Sequence, residues 1–391
     1  MKIESLDFFY LAMPKVEDIG DGSQDTLLVR ARAGGHTGWG ECEASPLTTL
    51  AAMVCPMSHS ACKPVVASVL GEYINQPSDI VRIHQKVREN SMDVLQSDHA
   101  LSGIDIALWD LLGKMCGEPV YRLLGYKTAY PKLPYASFLF GDTPQETLNK
   151  ARRATQRGFR AVKCGWGPFG KGSLQEDIDQ VVAAREGIGW ENILLVDVGT
   201  VWGHDVNLAK SRLDILEDQK VTWLEEPFHT GALEAYHALA SESKTVKLAG
   251  GEGAHNEFMA QHLMEYGKVG FIQIDAGRVG GLTSAKRVAD NAVKKNVIYV
   301  NHTFTSHLAL STSLQPYAGL KDHVICEYPI ELKPLAYELT DNHLELNQSG
   351  EICLPENPGL GMEVRLETLK KYLVQTQIIV NNQILYDTPK L

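Results

Sequence analysis

Three acidic residues stand at nearly even intervals, each closing an apolar run: Asp197 in ILLVDVG, Glu225 in VTWLEEP and Glu252 in VKLAGGEG. They lie 28 and 27 residues apart, about the length of one strand-loop-helix-loop unit. Carboxylates at the C-terminal ends of successive parallel strands converge at one rim of a barrel. Three converging carboxylates repel one another unless a cation neutralises them, and an all-oxygen set suits a hard divalent ion such as Mg²⁺. A single acidic residue after a strand is ordinarily a helix cap or a solvated rim charge. Three in phase point to a metal centre, with a rim salt-bridge network as the other reading. Of the adjacent Glu225 and Glu226, the strand pleat sends one to each side, so only one is expected at the barrel axis.

A second group shares that rim. Asp275 ends FIQIDAG and His302 ends VIYVNH, 27 residues later. Adjacent strand ends bring the two side chains within hydrogen-bonding reach. An Asp accepting from one imidazole nitrogen fixes the tautomer and raises the basicity of the other. Lys163, in FRAVKCGWG, and Glu327, in VICEYP, each close a further strand and point at the same rim. Read singly, His302 is a polar core histidine, Lys163 a snorkelling lysine and Glu327 a salt-bridge partner. Read together with a metal centre, they are catalytic. Cys164 and Cys326 fall on the opposite pleat face, as packing residues.

These positions require a particular scaffold. Eight strands are predicted near 133–139, 160–165, 193–198, 221–226, 246–251, 271–275, 297–301 and 324–327. Most are short and continuously apolar, as strands covered on both faces are. Amphipathic stretches fill most of the intervals, two of them opened by capping boxes, Thr143 with Glu146 and Ser173 with Glu176. Strand-helix alternation of this length reads as a closed α/β barrel. The first 125 residues differ: FFYLAMP, DTLLVRARA and GGHTGWGEC suggest an antiparallel sheet. A helix follows over Asp98–Cys116, with Ala100, Ile104, Ala107, Leu108, Leu111 and Leu112 on one apolar face. The expected division is an α+β capping domain over 1–125, a modified TIM barrel over 126–345, and a segment over 346–391 that returns to the capping domain.

Composition narrows the function classes. The chain has 391 residues, 44% of them hydrophobic, enough to bury a large core. A net charge of −11 argues against nucleic acid as the main partner. No apolar run approaches membrane-spanning length, and no targeting segment is visible. The seven cysteines are scattered, which fits reduced thiols in a cytoplasmic protein better than a disulfide framework or a zinc site.

With these residues assembled, the chain resembles the enolase superfamily, in its mandelate racemase and muconate-lactonizing group. ALSGIDIALWDLLGKMCGEPVYRLLG, WLEEP, the Asp197-Glu225-Glu252 ladder and the Asp275/His302 pair carry the likeness, which spans essentially the whole chain. The resemblance implies a (β/α)₇β barrel with an α+β capping domain and one Mg²⁺. It also implies abstraction of a proton next to a carboxylate, with the metal stabilising an ene-diolate. By the same resemblance Asp197, Glu225 and Glu252 match the metal ligands, His302 the general base and Asp275 its orienting partner. Glu327 matches the acid that meets the substrate carboxylate, and Lys163 the first lysine of a Lys-x-Lys pair. The family also implies a homo-oligomer acting on a small carboxylate.

One departure shapes the expected reaction. Gly165 stands where the second lysine of the pair is found. With His302 the one clearly placed base, chemistry on one face of the α-carbon is favoured: dehydration of an aldonate or aldarate to a 2-keto-3-deoxy acid. The alternatives are a racemase or epimerase using Lys163 and His302, a cycloisomerase, and a non-catalytic binding barrel. Specificity is expected from the capping domain, through a lid over residues 14–25 and through Ser58 and His59 in the loop 54–60. Trp166, His204, His229 and His255 follow barrel strands as further candidates for substrate contact.

Overall fold

The computed structural model describes residues 1–42, 45–94 and 96–391. Three strands, β1 (Ser5–Ala12), β2 (Asp25–Ala33) and β3 (His36–Cys42), form an antiparallel sheet in that order. The turn joining β2 to β3 runs through Gly34 and Gly35, both at positive φ, where glycine carries no steric penalty. The eight barrel strands are β4 (Leu133–Leu139), β5 (Ala161–Gly165), β6 (Ile193–Asp197), β7 (Val221–Glu225), β8 (Lys247–Gly250), β9 (Phe271–Asp275), β10 (Ile298–His302) and β11 (Ile325–Pro329). They pair in parallel from β4 through to β10, and β11 closes back onto β4. The result is a nearly closed eight-stranded α/β barrel beside a separate N-terminal domain. Among the described residues no helix is long and apolar enough to cross a membrane.

The barrel is filled, not hollow. Tyr135, Ala161, Leu195, Trp223, Ala249, Val300 and Ile325, one from each of seven strands, form a separate inner core. Trp223 and Tyr135 meet edge to face at 5.4 Å. This plug is the floor on which the carboxylates of the rim stand.

The helix Ser97–Cys116 departs from the one-sided pattern. Every residue from His99 to Gly113 is buried, because the helix lies between the antiparallel sheet and the barrel. Glycines permit that approach: a Cβ on Gly38 or Gly40 would come within 2.1 and 2.2 Å of the carbonyls of Ala107 and Gly103. Of the two expected capping boxes, Ser173/Glu176 is reciprocal, whereas Thr143 accepts from the Glu146 amide without a return bond. The C-terminal run folds as a hairpin, β12 (Gln377–Val380) and β13 (Gln383–Asp387). Asn381 and Asn382, both at positive φ, make the turn, as hairpin connections prefer. Tyr386 Oη donates to the Phe8 carbonyl at 2.7 Å, and Arg30 reaches the Lys390 carbonyl at 3.2 Å, so the end of the chain returns to the first sheet.

Candidate active site

Strand register sets the site. Asp197 and Glu225 are paired last residues of β6 and β7, and Asp275 and His302 are paired last residues of β9 and β10. Glu252 follows β8 in the turn opened by Gly251, whose φ is +126. Lys163 and Glu327 occupy β5 and β11 on either side of β4. The structure therefore brings all seven rim residues to the same end of the barrel, and all are buried or nearly so.

Two cationic side chains organise them. Lys163 Nζ lies 2.7 Å from Glu225, 2.9 Å from Glu327 and 3.6 Å from Asp197. Burial works against its charge, but those carboxylates hold its pKa well above the ordinary lysine value. His302 Nδ1 lies 2.7 Å from Asp275 Oδ2, while Asp275 Oδ1 accepts from the Gly277 amide at 2.7 Å. The carboxylate is thus fixed and orients an Nδ1–H, leaving Nε2 toward the mouth, 3.1 Å from Glu252 and 4.0 Å from Glu327. Burial opposes protonation of His302, yet Glu252, Glu327 and Asp275 outweigh it and lift the imidazole to about 10. Glu327 sits between the Lys163 ammonium, 2.9 Å from one oxygen, and the Thr303 amide, which donates to the other at 2.8 Å.

The triad is crowded. Burial, reinforced by neighbouring carboxylates and opposed by Lys163, pushes Asp197 and Glu225 above the usual carboxylate range. Glu252 is instead held down to about 2, because His302 and Arg278 outweigh its burial. Among the described residues no three His, Cys, Asp or Glu side chains already converge as a closed metal cage. Lys163 bridges Asp197 and Glu225, while His302 and Arg278 engage Glu252. The donor set nevertheless fits a hard divalent ion: all oxygen, buried, and mutually repelling without positive charge. Trp223 Nε1 donates to Glu225 at 3.0 Å and the Gly199 amide to Asp197 at 2.8 Å, so these two carboxylates are oriented from behind, as metal ligands are.

Gly165 has a steric reason. A Cβ there would lie 2.9 Å from Asp197 Oδ2, so a side chain at this position crowds the triad. The following residue, Trp166, adopts φ +53, a strained conformation for a bulky residue and one that clusters at functional sites. Its indole lies between two glycines. A Cβ on Gly20 would come within 3.0 Å of the ring and one on Gly199 within 2.7 Å.

The mouth opens into a cavity of about 290 Å³ bordered by Lys163, Trp166, Asp197, Glu252 and His302. Ile19, Gly20, Asp21 and Gly22 cover one side of it, so the segment 14–25 reaches the site. It is strapped to the barrel: Lys333 pairs with Glu17 at 2.7 Å, and the Lys333 amide donates to Ser23 Oγ at 2.9 Å. The loop 54–60 does not reach the cavity. Ser58 bonds back to Cys62, and His59, half exposed, faces Asp93 at 3.3 Å. A local β-bridge between His59 and Cys62 turns the loop on itself, which accounts for the difference from the expected role. His204, His229 and His255 are exposed and outside the lining as well.

Two residues at the site, Arg278 and Phe304, are not marked by the sequence pattern. Arg278 lines the cavity and reaches Glu252 at 3.3 Å; its place three residues after Asp275, in the same loop, was the available signal. Phe304 lines the cavity two residues past His302. Glu226 does not follow the pleat. Its φ of +41 bends the chain, leaving a buried carboxylate whose Oε1 has no protein partner. Burial and then Glu252 push its pKa up.

The chain is similar in sequence and fold to known proteins. Residues 146–368 match the family described as enolase C-terminal domain-like, and residues 16–125 the mandelate racemase / muconate lactonizing enzyme N-terminal domain. D-galactarolactone cycloisomerase of Agrobacterium fabrum is 29% identical, over 86% of this chain and 88% of that protein. L-talarate/galactarate dehydratase of Salmonella typhimurium is 29% identical, over 76% and 71%. A crystal structure described as a predicted mandelate racemase from Rhodobacter sphaeroides is 57% identical, covers both chains completely and superposes with a TM-score of 0.96. With both domains matched and the same barrel observed, this chain belongs to the mandelate racemase / muconate lactonizing family of the enolase superfamily.

Proposed function

We propose that the protein is a Mg²⁺-dependent dehydratase of a sugar acid, an aldonate or aldarate, forming a 2-keto-3-deoxy acid. The observation that carries this reading is the asymmetry of the mouth. On one side stands a single imidazole oriented by Asp275; on the other, Gly165 leaves no second base beside Lys163. Relatives named as dehydratases of arabinonate and of L-talarate/galactarate support the class.

In this mechanism Asp197, Glu225 and Glu252 would hold the divalent ion. When bound, the ion supplies positive charge against the two negative oxygens that form when the substrate carboxylate becomes an ene-diolate. Lys163 and Glu327 fix the substrate carboxylate, the ammonium adding a permanent charge in a dry setting. Glu252 contributes most to holding the imidazole protonated; with that carboxylate engaged by the cation, a neutral His302 Nε2 takes the α-proton, and Asp275 holds the imidazolium that results. The same imidazolium returns its proton to the β-hydroxyl. The C–O bond breaks, water departs, and the enol tautomerises to the ketone. Ile19, Trp166 and Phe304 form apolar walls that exclude water from the reacting carbon. The same reading makes the partner a small carboxylate, with no nucleic acid or membrane involved, and the assembly a cytoplasmic homo-oligomer.

Incubation with a panel of aldonic and aldaric acids tests the proposal. The expected result is 2-keto acid formation that requires Mg²⁺ and stops with chelator. Exchange of the α-proton with solvent, without 2-keto acid, would instead establish the racemase reading through Lys163 and His302. A second elimination deserves its own arm, because relatives include D-galactarolactone and 3,6-anhydro-α-L-galactonate cycloisomerases. A lactone or anhydro acid consumed without loss of water would favour it.

A further inference from the structure

Glu41 is a buried carboxylate of the first domain that the mechanism above does not use. It lies in β3 and is 2% exposed. One oxygen accepts from Thr26 Oγ1 at 2.9 Å, within its own sheet. The other accepts from Ser306 Oγ, 265 residues away in the barrel. Ser306 caps the helix His307–Leu314, and its hydroxyl also accepts from the amides of Leu308 and Ala309 at 3.1 and 3.3 Å. That hydroxyl therefore donates to Glu41 and accepts twice, and its orientation is set.

The bridge bears on the catalytic rim because of what lies just before it. Only Thr303, Phe304 and Thr305 separate Ser306 from His302. The Thr303 amide holds Glu327 at 2.8 Å, and Phe304 lines the cavity. Glu41 does not pair with the imidazole. Glu41, Asp275, His302 and Thr303 border a small cavity of about 10 Å³, near the size that one water requires. Thr303 Oγ1 is buried there without a protein partner. A single carboxylate from the first domain thus anchors the far end of the loop whose near end is His302.

We propose that Glu41 is a positioning residue for the reaction, fixing through Ser306 the loop that carries His302 and Phe304 at the mouth and the Thr303 amide beneath Glu327. This rests on His302 acting as the base, and it adds that the first domain sets the placement of that base. A latch that merely joined the domains would affect unfolding but not the imidazole.

The test compares Glu41→Ala, Glu41→Gln and Thr26→Val in the full chain. Thr26→Val removes only the bond inside the first sheet and is expected to leave turnover within about twofold of the parent. Glu41→Ala is expected to lower kcat on the order of 100-fold with KM within about threefold, since a small misplacement of reacting groups carries that effect. A Gln oxygen can still accept from Ser306 while its NH2 donates to Thr26 Oγ1, so Glu41→Gln keeps the bridge without the charge and is expected between the two. The second readout needs no substrate. The imidazole N–H of His302, assigned by its loss in His302→Asn, is followed by NMR in the protein alone. Its exchange with solvent should quicken at least about tenfold in Glu41→Ala and stay unchanged in Thr26→Val. If neither Glu41 variant folds, Ser306→Ala breaks the same bridge from the barrel side and is read in the same way. A folded Glu41→Ala with parental imidazole exchange and kcat overturns the proposal. If no sugar acid is turned over, the dehydratase reading fails, while the exchange measurement still decides the role of Glu41.

Discussion

Buried charge is handled differently at the barrel mouth and at the seam between the two domains. At the seam each charged group has its own partners. Asp105 accepts from the Thr283 amide at 3.0 Å and hydroxyl at 2.6 Å. Asp110 accepts from the amides of Trp39 and Leu360, each at 2.8 Å, and pairs with Lys114 at 2.7 Å. Arg88 spans Asp98 and Glu257 at 2.7 and 2.9 Å. At the mouth, Asp197, Glu225 and Glu327 share one lysine, and Glu252 and Asp275 share one imidazole. Holding domains together calls for satisfied groups, because an unpaired buried charge destabilises. On the proposed mechanism, a site that binds a cation and stabilises a doubly charged intermediate keeps carboxylates in excess.

The largest effect should come from the mouth. His302→Asn is expected to abolish solvent exchange of the substrate α-proton and to lower kcat by about 10³-fold, within the range for loss of a general base. Undiminished exchange in this variant would remove the one-base mechanism. Lys163→Met should destabilise the protein by about 3 kcal/mol in chelator, as loss of one partner from a buried ion cluster does, with part of the loss recovered in Mg²⁺. Denaturant midpoints with and without the ion measure it; no recovery would mean that the carboxylates do not gather a cation.

The seam should respond in stability alone. Asp110→Ala strands two buried amides and an ammonium, with an expected loss of about 3 kcal/mol and unchanged kcat in the folded fraction. A matching fall in kcat would blur the division between the two regions. Smaller is a pH effect at His84, which contacts the Gly280 carbonyl and Ser284 Oγ. Burial, then Arg88 and Arg287, lower its pKa from 6.5 to about 3. Below pH 6.5 the unfolded chain takes up a proton that the folded one refuses. Stability attributable to His84 is therefore intact above that pH and falls as pH drops toward 3, by just under ~3 kcal/mol near pH ~4.5. His84→Asn should show a shallower acid decline in denaturant midpoint than the parent. Smallest of all, Ser58→Ala and His59→Ala should change kcat/KM less than about twofold, since neither borders the cavity; a tenfold fall would return that loop to the site.

Periodicity made the scaffold and most of the mouth legible. Strand ends at Asp197, Glu225, Asp275 and His302 fall within a residue of expectation, because short apolar runs between capped amphipathic segments leave little freedom of register. The positive φ of Glu226 interrupts the pleat after Glu225, and nothing in the letters EEP declares that. The helix Ser97–Cys116 was given one apolar face, but its small residues let a sheet approach the other side, a tertiary contact that helical spacing does not encode. Loop 54–60 was assigned to the cavity on composition; hydroxyl and imidazole groups indicate capacity for contact, not direction.

The placement of Trp166 between Gly20 and Gly199 has an optical consequence. An outward shift of the strap that carries Gly20 would transfer one face of the indole from glycine backbone to water. Ligand passage along that side of the cavity would then alter the emission of this one tryptophan, giving the protein an intrinsic fluorophore at its own gate.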